Sequence, residues 1–144
     1  MDFSCKPERG SKSTPDHIFI SFNGDPATSM NVTWRTSVDI KEGYALCRED
    51  KTEDYKRYDA TTDVFESDID ISNMFWSNMT GLKPDTKYFY TVGNDEYRSE
   101  EFYFTTAPKE AKSFKFICVS DQQKGEPFDL PDYSAFHDAL KAQL

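Results

Sequence analysis

The residue best suited to chemistry in this sequence is an aspartate near its end. The run Phe114–Val119 is apolar except for Lys115, and the polar residues 120–123, Ser-Asp-Gln-Gln, follow it directly. An almost continuous apolar run is typical of a strand buried on both faces, as in a parallel sheet. Open α/β sheets bind their ligands just beyond the carboxyl ends of such strands. Asp121 therefore stands where many α/β enzymes begin their active sites.

The residues after Asp121 predict a loop and then a helix. Glycine and prolines mark the loop, and apolar residues then recur at the three- and four-residue spacing of one helix face. A strand, a loop and a helix are the first unit of an α/β domain. We therefore expect residues 109–144 to be the truncated beginning of a second domain. The helix positions are Tyr133, Phe136, Leu140 and Leu144.

The other residues that could bind a metal are expected to face solvent. His17 and His137 are the only histidines, and surface positions are expected for both. The acidic stretch lacks the glycine and the spacing of an EF-hand loop. The alternation in Asp68–Ile71 predicts a strand with its acids on the wet face. The acids in question are Asp63, Glu66, Asp68 and Asp70.

Composition limits the classes of function. A net charge of −9 over 144 residues argues against nucleic-acid binding, which needs a clustered basic face. No stretch approaches the roughly 20 apolar residues of a membrane span. The N-terminus lacks the apolar core of a signal peptide, and residues 1–13 are polar enough to predict a flexible leader.

The three cysteines predict no metal site. Cys5, Cys47 and Cys118 form no CxxC pair and no zinc-binding spacing. Cys47 and Cys118 stand beside apolar residues, so we expect buried free thiols. A disulfide between Cys5 and Cys47 stays open at this stage.

Residues 14–108 predict an all-β sandwich of about seven strands. Met30–Arg35 alternates apolar and polar residues, which predicts one buried face and one wet face. No helical period occurs before residue 130, and turn residues separate the runs, as in two-sheet sandwiches. The other runs of two-residue period are 18–22, 44–48, 55–58, 61–65, 68–71, 74–79, 88–92 and 102–104.

The sharpest motif in this region is Leu-x-Pro-x-Thr-x-Tyr at residues 82–88. It is the pattern of a tyrosine corner, in which the tyrosine hydroxyl bonds to the chain a few residues upstream. Tyr88 is the corner residue, Leu82 is expected to fill the core, and Pro84 is expected to stiffen the turn. With Trp34 on an early strand, the motif predicts a fibronectin type III or immunoglobulin-like sandwich. The role of all four residues is structural.

The order of these features resembles the N-terminal domain of purple acid phosphatases. The resemblance is carried by the corner and by residues 15–22, 24–26, 30–36 and 101–106. It implies a fibronectin-like domain at 14–108 and, at 109–144, the first strand, loop and helix of a dinuclear metallophosphoesterase domain. It also implies a parent enzyme that hydrolyses phosphate monoesters and that is secreted or displayed at the cell surface.

The resemblance further implies a metal site to which Asp121 contributes. The family's first catalytic strand ends in Gly-Asp-x-Gly, whose aspartate binds one of two metals, iron paired with iron, zinc or manganese. Here Ser120 and Gln123 replace the glycines, and Gln123 is a candidate to orient a metal ligand or a bound water. The family's other ligands have no counterpart before Leu144. The 144 residues alone are therefore expected to be inactive and to bind no metal tightly, and their partner is the chain's own downstream catalytic domain.

Two other interpretations are compatible with the residues. One is a stand-alone fibronectin-like module that binds proteins or glycans, for which the orientation of Trp76 matters and cannot be assigned. The other is a small complete protein whose tail helix caps the sandwich. Residues 109–144 are expected to be poorly ordered, or docked on the sandwich or on another copy of the chain, because strand 114–119 has no parallel partner here.

Overall fold

The computed structural model describes residues 10–68, 70–110 and 113 of the chain. The chain divides into two units, Met1–Lys112 and Ser113–Leu144, and the strands given below all lie in the first. The strand, loop and helix predicted for residues 109–144 lie almost entirely outside the described residues. The same is true of the predictions for Asp121, Gln123 and His137.

The described chain is an all-β sandwich, which confirms the predicted fold class. It has eight strands, where about seven were expected, and no helix among the described residues. The first sheet has the strand order β1-β2-β6-β5 and the second sheet β4-β3-β7-β8, and all pairs are antiparallel. The strands are β1 (Asp16–Ser21), β2 (Ser29–Ser37), β3 (Tyr44–Glu49), β4 (Lys56–Asp59), β5 (Thr61–Glu66), β6 (Ile71–Thr80), β7 (Lys87–Gly93) and β8 (Phe102–Thr105).

The core lies between the sheets and is rich in aromatic rings. Trp34 on β2 is fully buried and stacks on Phe75 of β6, with ring centroids 5.3 Å apart. Burial of such rings removes large apolar surfaces from water, which is the main favourable term in folding. The cluster consists of Met30, Val32, Trp34, Ala45, Cys47, Phe75, Met79, Leu82, Tyr88, Tyr90, Val92 and Phe104.

The strand predicted at Asp68–Ile71 is wrong. Ser67 and Asp70 instead close a turn, in which the Ser67 N–H donates to the Asp70 carbonyl at 3.0 Å. Strand β6 begins only at Ile71 and then runs for 10 residues. Asp70 is not on a wet strand face, because its carboxylate accepts a hydrogen bond from the Ser11 N–H. Turn formation by the serine side chain outcompetes the alternating pattern here.

The wet face predicted for β2 is also incorrect at Asn31, which is only 7% exposed. Asn31 points away from the core, but it lies between β1 and β6 on the outer surface of the sheet. Its Nδ2 donates to Ser21 Oγ at 3.1 Å. A polar residue on a central strand is thus covered by its neighbours rather than by water.

Residues 10–12, within the segment expected to be a leader, contact the first sheet. Ser37 N–H donates to the Lys12 carbonyl at 2.7 Å, and Arg35 Nη2 donates to the Gly10 carbonyl at 3.4 Å. Arg35 also forms a two-pronged ion pair with Asp16, with both distances 2.8 Å. Residues 10–12 are therefore tied to the edge of the first sheet.

Candidate functional site

The predicted metal ligand Asp121 and its neighbour Gln123 lie outside the described residues, so the metal site stays a prediction. Within residues 10–68 and 70–110, no group of three or more histidines, cysteines and acids is arranged to hold a metal ion. Asp63 and Glu66 are exposed on the edge strand β5. A single solvated carboxylate binds a divalent cation weakly, because protein metal sites usually have three or four ligands.

His17 faces solvent, as expected for a surface histidine. Its side chain is 65% exposed, and its Nδ1 lies 3.0 Å from Asp16 Oδ1. Burial by itself would raise the pKa of Asp16, but the hydrogen bonds from Arg35 and His17 outweigh it, so the pKa lies below its ordinary value. This cluster joins β1 to β2 and has no feature of a catalytic pair.

The tyrosine corner lies at one end of the sandwich, next to the turn Asp25–Thr28. The Tyr88 hydroxyl accepts a hydrogen bond from the Lys83 N–H at 2.9 Å, five residues upstream. The Tyr88 ring is 6% exposed and stacks on Phe104 at a centroid distance of 5.8 Å. Leu82 is 7% exposed and belongs to the core cluster. These contacts are the ones that the motif requires.

The last strand leaves the sandwich at the same end, where Thr106 is anchored. Thr106 is 2% exposed, and its hydroxyl donates to the Lys83 carbonyl at 2.6 Å while accepting from the Thr86 N–H at 3.0 Å. The Thr106 N–H donates in turn to the Thr86 carbonyl at 3.0 Å. Sequence reasoning missed this residue, whose only signal is its place after a strand and before Ala-Pro.

Ala107, the next residue, is also held by backbone hydrogen bonds. Its N–H donates to the Pro26 carbonyl at 2.9 Å, and its carbonyl accepts from the Asp85 N–H at 3.1 Å. The Asp25 side chain holds the turn itself, because Oδ1 accepts from the Ala27 N–H at 2.9 Å. We call this region the exit end, defined by the turn Asp25–Thr28, the corner Leu82–Tyr88 and residues 106–108.

A shallow, open depression of about 400 Å³ lies at the exit end. Its lining is mostly apolar and contains neither histidine nor cysteine. The lining residues are Asp25, Pro26, Ala27, Thr28, Pro84, Ala107, Pro108 and Lys109. With one carboxylate and one ammonium, this surface is suited to packing rather than to metal or acid–base chemistry.

The outer face of the second sheet carries an ion pair between Arg48 and Glu101. Arg48 donates from Nη2 to Glu101 Oε2 at 2.8 Å, and the Tyr55 hydroxyl donates to Glu101 Oε1 at 2.7 Å. The hydrogen bond from Arg48, and then that from Tyr55, lower the pKa of Glu101. Arg48 also lies 4.5 Å above the Phe89 ring. The group bridges β3 to the residue just before β8.

A second cluster on this face is built around Tyr44. The guanidinium groups of Arg57 and Arg98 lie 3.8 Å and 4.6 Å from the Tyr44 ring centroid. The Tyr44 hydroxyl is hydrogen-bonded to Asp95 and to Arg98. The bond to Asp95, and then burial, raise the pKa of Tyr44. Tyr44 therefore ties β3 to the loop that contains Asp95 and Arg98.

Cys47 is a free thiol in the core and is 3% exposed. Burial raises its pKa to about 12, so it is protonated at neutral pH and is neither a nucleophile nor a metal ligand. This agrees with the buried thiol predicted from the sequence.

No helix in the described part of the chain is long and apolar enough to span a membrane. Comparison with protein families gives a match to the model of the purple acid phosphatase N-terminal domain over residues 15–106. That match covers the sandwich from just before β1 to the residue after β8.

Three solved structures are similar to this chain at low identity. A computationally redesigned β-sandwich protein is 21% identical over 67% of this chain and 97% of its own, with a TM-score of 0.45. The sensor domain of the anti-sigma factor RsgI4 from Pseudobacteroides cellulosolvens is 18% identical over 81% and 96%, with a TM-score of 0.44. The vertebrate protein Astrotactin-2 is 10% identical over 67% of this chain and 22% of its own, with a TM-score of 0.48.

Proposed function

The chain belongs to the purple acid phosphatase N-terminal domain family, and we propose from this membership that it is the accessory sandwich of a metal-dependent phosphatase. The parent protein would hydrolyse phosphate monoesters. The sandwich would supply no metal ligand, since no metal-binding group occurs among residues 10–68 and 70–110.

The observation that carries this proposal, beside the family match, is the anchoring of the exit end. Thr106 and Ala107 are hydrogen-bonded to the tyrosine corner and to the turn at Pro26. A segment bonded on both sides keeps a fixed direction, unlike a flexible interdomain linker. The sandwich can therefore act as a rigid base from which a following domain extends.

In this proposal Asp121 is the first metal ligand of that domain, and Gln123 orients a ligand or a water. A carboxylate oxygen is a suitable donor for iron, zinc or manganese. A dinuclear site, when bound, supplies an activated hydroxide and stabilises the charge of the transferred phosphoryl group. This chain's own contribution to that chemistry is one carboxylate, and the remaining ligands would come from residues after Leu144.

The test requires the complete protein, expressed from the source gene with any sequence that follows the codon for Leu144. We expect hydrolysis of p-nitrophenyl phosphate by the complete protein and none by residues 1–144. Asp121→Asn should lower activity by at least about 100-fold and reduce the bound metal, measured by elemental analysis. Asp63→Asn is the matched control, because that carboxylate is exposed on β5.

Two results would refute the proposal. One is a stop codon directly after Leu144, which would leave Asp121 as an ordinary loop carboxylate. The other is a complete protein in which Asp121→Asn retains all of its metal and activity.

A further inference from the structure

Exposed apolar side chains concentrate on the first sheet. Of the nine large hydrophobic residues that are exposed in the described part of the chain, six lie in strands of this sheet. Strand register puts three of them, Phe19, Phe65 and Trp76, on the outer face of the sheet, whereas Ile20 is paired with the core residue Val32. Large apolar groups that share one surface of a soluble domain usually mark a binding site. The six are Phe19, Ile20, Val64, Phe65, Ile71 and Trp76.

Strand register places two of these rings in one row on the outer face. Phe19 is paired with Thr33, Thr33 with Trp76, and Trp76 with Thr61. Directly paired residues share a face of the sheet. The neighbouring positions on β2 and β6 fill the core, so this row points outward. We call these four residues the outer row; Phe19 is 55% exposed and Trp76 38% exposed.

The outer row presents aromatic rings and hydroxyl groups in alternation. Phe19 on β1 and Trp76 on β6 are separated by β2, so their backbones lie about 10 Å apart, two strand spacings. Thr33 stands between the rings, and Thr61 lies beyond Trp76 on β5. The arrangement is a flat strip rather than a closed pocket.

The surface beside the outer row is uncharged on one side. The next row consists of Ser21, Asn31 and Asn78, which pair in register. Asn31 is buried and donates to Ser21 Oγ, so Ser21 and Asn78 are the polar groups that face solvent in this row. Asn78 is exposed, and its amide makes only a long contact, 3.4 Å, to the Asn23 carbonyl. The row on the other side consists of Asp16, Arg35, Met74 and Asp63, in which Arg35 is paired with Asp16. The uncharged side of the face suits a ligand that is itself neutral and rich in hydroxyls.

We propose that the outer row binds a neutral oligosaccharide. The C–H faces of its pyranose rings would stack on Phe19 and Trp76, whose π faces carry partial negative charge. Thr33, Thr61 and Asn78 would exchange hydrogen bonds with sugar hydroxyls. This inference does not depend on the phosphatase proposal, and it would make the sandwich a targeting module for glycan surfaces.

The size of the surface argues against a second copy of the chain as the occupant. Four strands are about 19 Å across, and six or seven residues along them span about 20 Å. The face is therefore roughly 400 Å², whereas a stable dimer buries about 800 Å² on each partner. A short, flat strip of this area matches a few sugar units.

The test is native gel electrophoresis of the 144-residue chain in gels containing hydroxyethylcellulose, soluble starch or mannan. Polygalacturonate serves as the charged comparison. We expect at least one neutral polymer to retard the protein, with little dependence on salt. Phe19→Ala and Trp76→Ala should each weaken binding about tenfold. Trp76→Phe, which keeps a ring, should retain most of it, and Tyr103→Ala, at a 65% exposed ring on the other sheet, should change nothing.

Circular dichroism and thermal midpoints separate lost binding from lost folding. Phe19 lies on an edge strand, so its alanine variant is expected to fold even where a variant of Trp76 does not. The proposal fails if no neutral polymer retards the chain, or if Tyr103→Ala weakens binding as much as Trp76→Ala. It also fails if only polygalacturonate binds, or if sedimentation shows a dimer that Trp76→Ala dissociates.

Discussion

Replacing Tyr88 by phenylalanine isolates the hydrogen bond of the tyrosine corner. The Tyr88 ring is 6% exposed and stays packed on Phe104 in the variant, so the apolar area buried on folding hardly changes. What is lost is the acceptor for the Lys83 N–H, now 2.9 Å from the hydroxyl oxygen. A buried donor without a partner costs about 1–3 kcal/mol. Because this bond is only partly buried, we expect the variant to lose about 1–2 kcal/mol.

Urea unfolding followed by circular dichroism measures this loss. The midpoint should fall while the m-value stays constant, since the same surface is exposed on unfolding. For a domain of this size, each kcal/mol corresponds to about 4–8 °C in the thermal midpoint. Tyr103→Phe removes a hydroxyl from a 65% exposed ring and should change stability by less than about 0.5 kcal/mol. If the two variants are equally stable, the Tyr88 hydroxyl does not tie the corner and our reasoning is wrong.

Three further predictions concern other parts of the sandwich. The hydrogen bond from Arg48 lowers the pKa of Glu101, so this pair stabilises the fold at pH values above the ordinary glutamate pKa of about 4.3. The stabilisation disappears as the pH falls through the lowered pKa of Glu101. Glu101→Gln should therefore lower the thermal midpoint at pH 7 and match the wild type at about pH 2; a difference that persists in acid would contradict this. Cys47 should resist alkylation at pH 8 in the native state and react in urea, in a chain whose other cysteines are serine; rapid native labelling would disprove its burial. Gly93→Ala should lower the free energy of unfolding by at least about 3 kcal/mol, since its φ is 131° and an added Cβ would lie 2.1 Å from the Tyr97 carbonyl oxygen. Gly81→Ala should cost only about 1 kcal/mol in the same urea unfolding experiment, because its φ is 72° and the nearest atom to an added Cβ, Lys56 Nζ, is 3.6 Å away. Equal losses would show that the contact at Gly93 relaxes.

Much of the fold was predictable because the signals are local. Alternating runs, turn residues and the 82–88 motif predict strands and a corner without knowledge of any distant contact, and the sandwich is what the structure shows. The alternation failed at Asp68–Ile71, where a turn stabilised by Ser67 replaces the strand. It failed again at Asn31, where neighbouring strands cover an outward-facing amide. Both errors arise because the two-residue alternation of apolar and polar residues does not tell which neighbouring segment will cover a side chain.

The candidate sites were predictable to different degrees. Asp121 stands out in the sequence because an aspartate after an apolar run is a local pattern, whereas Gln123 is a candidate only through the resemblance to the family motif. The roles of both stay predictions. The anchoring role of Thr106 was not predictable, since its partners lie 20 and 23 residues away along the chain. The orientation of Trp76 could not be assigned either, because it depends on the register of β6 against β2 and β5.

The sequence by itself determined the class of fold, the tyrosine corner, the buried thiol at Cys47 and the family to which the chain belongs. The corner and the individual strands rest on residue types and on spacing within about ten residues, where the backbone geometry of strands and turns leaves few alternatives. The fold class and the family rest on the order of these local signals along the chain. Only the tertiary structure decided that Thr106 and Ala107 anchor the exit end and that Phe19 and Trp76 form one outer row. Such groupings depend on strand register, which long-range pairing sets and which a shift of one residue would reverse.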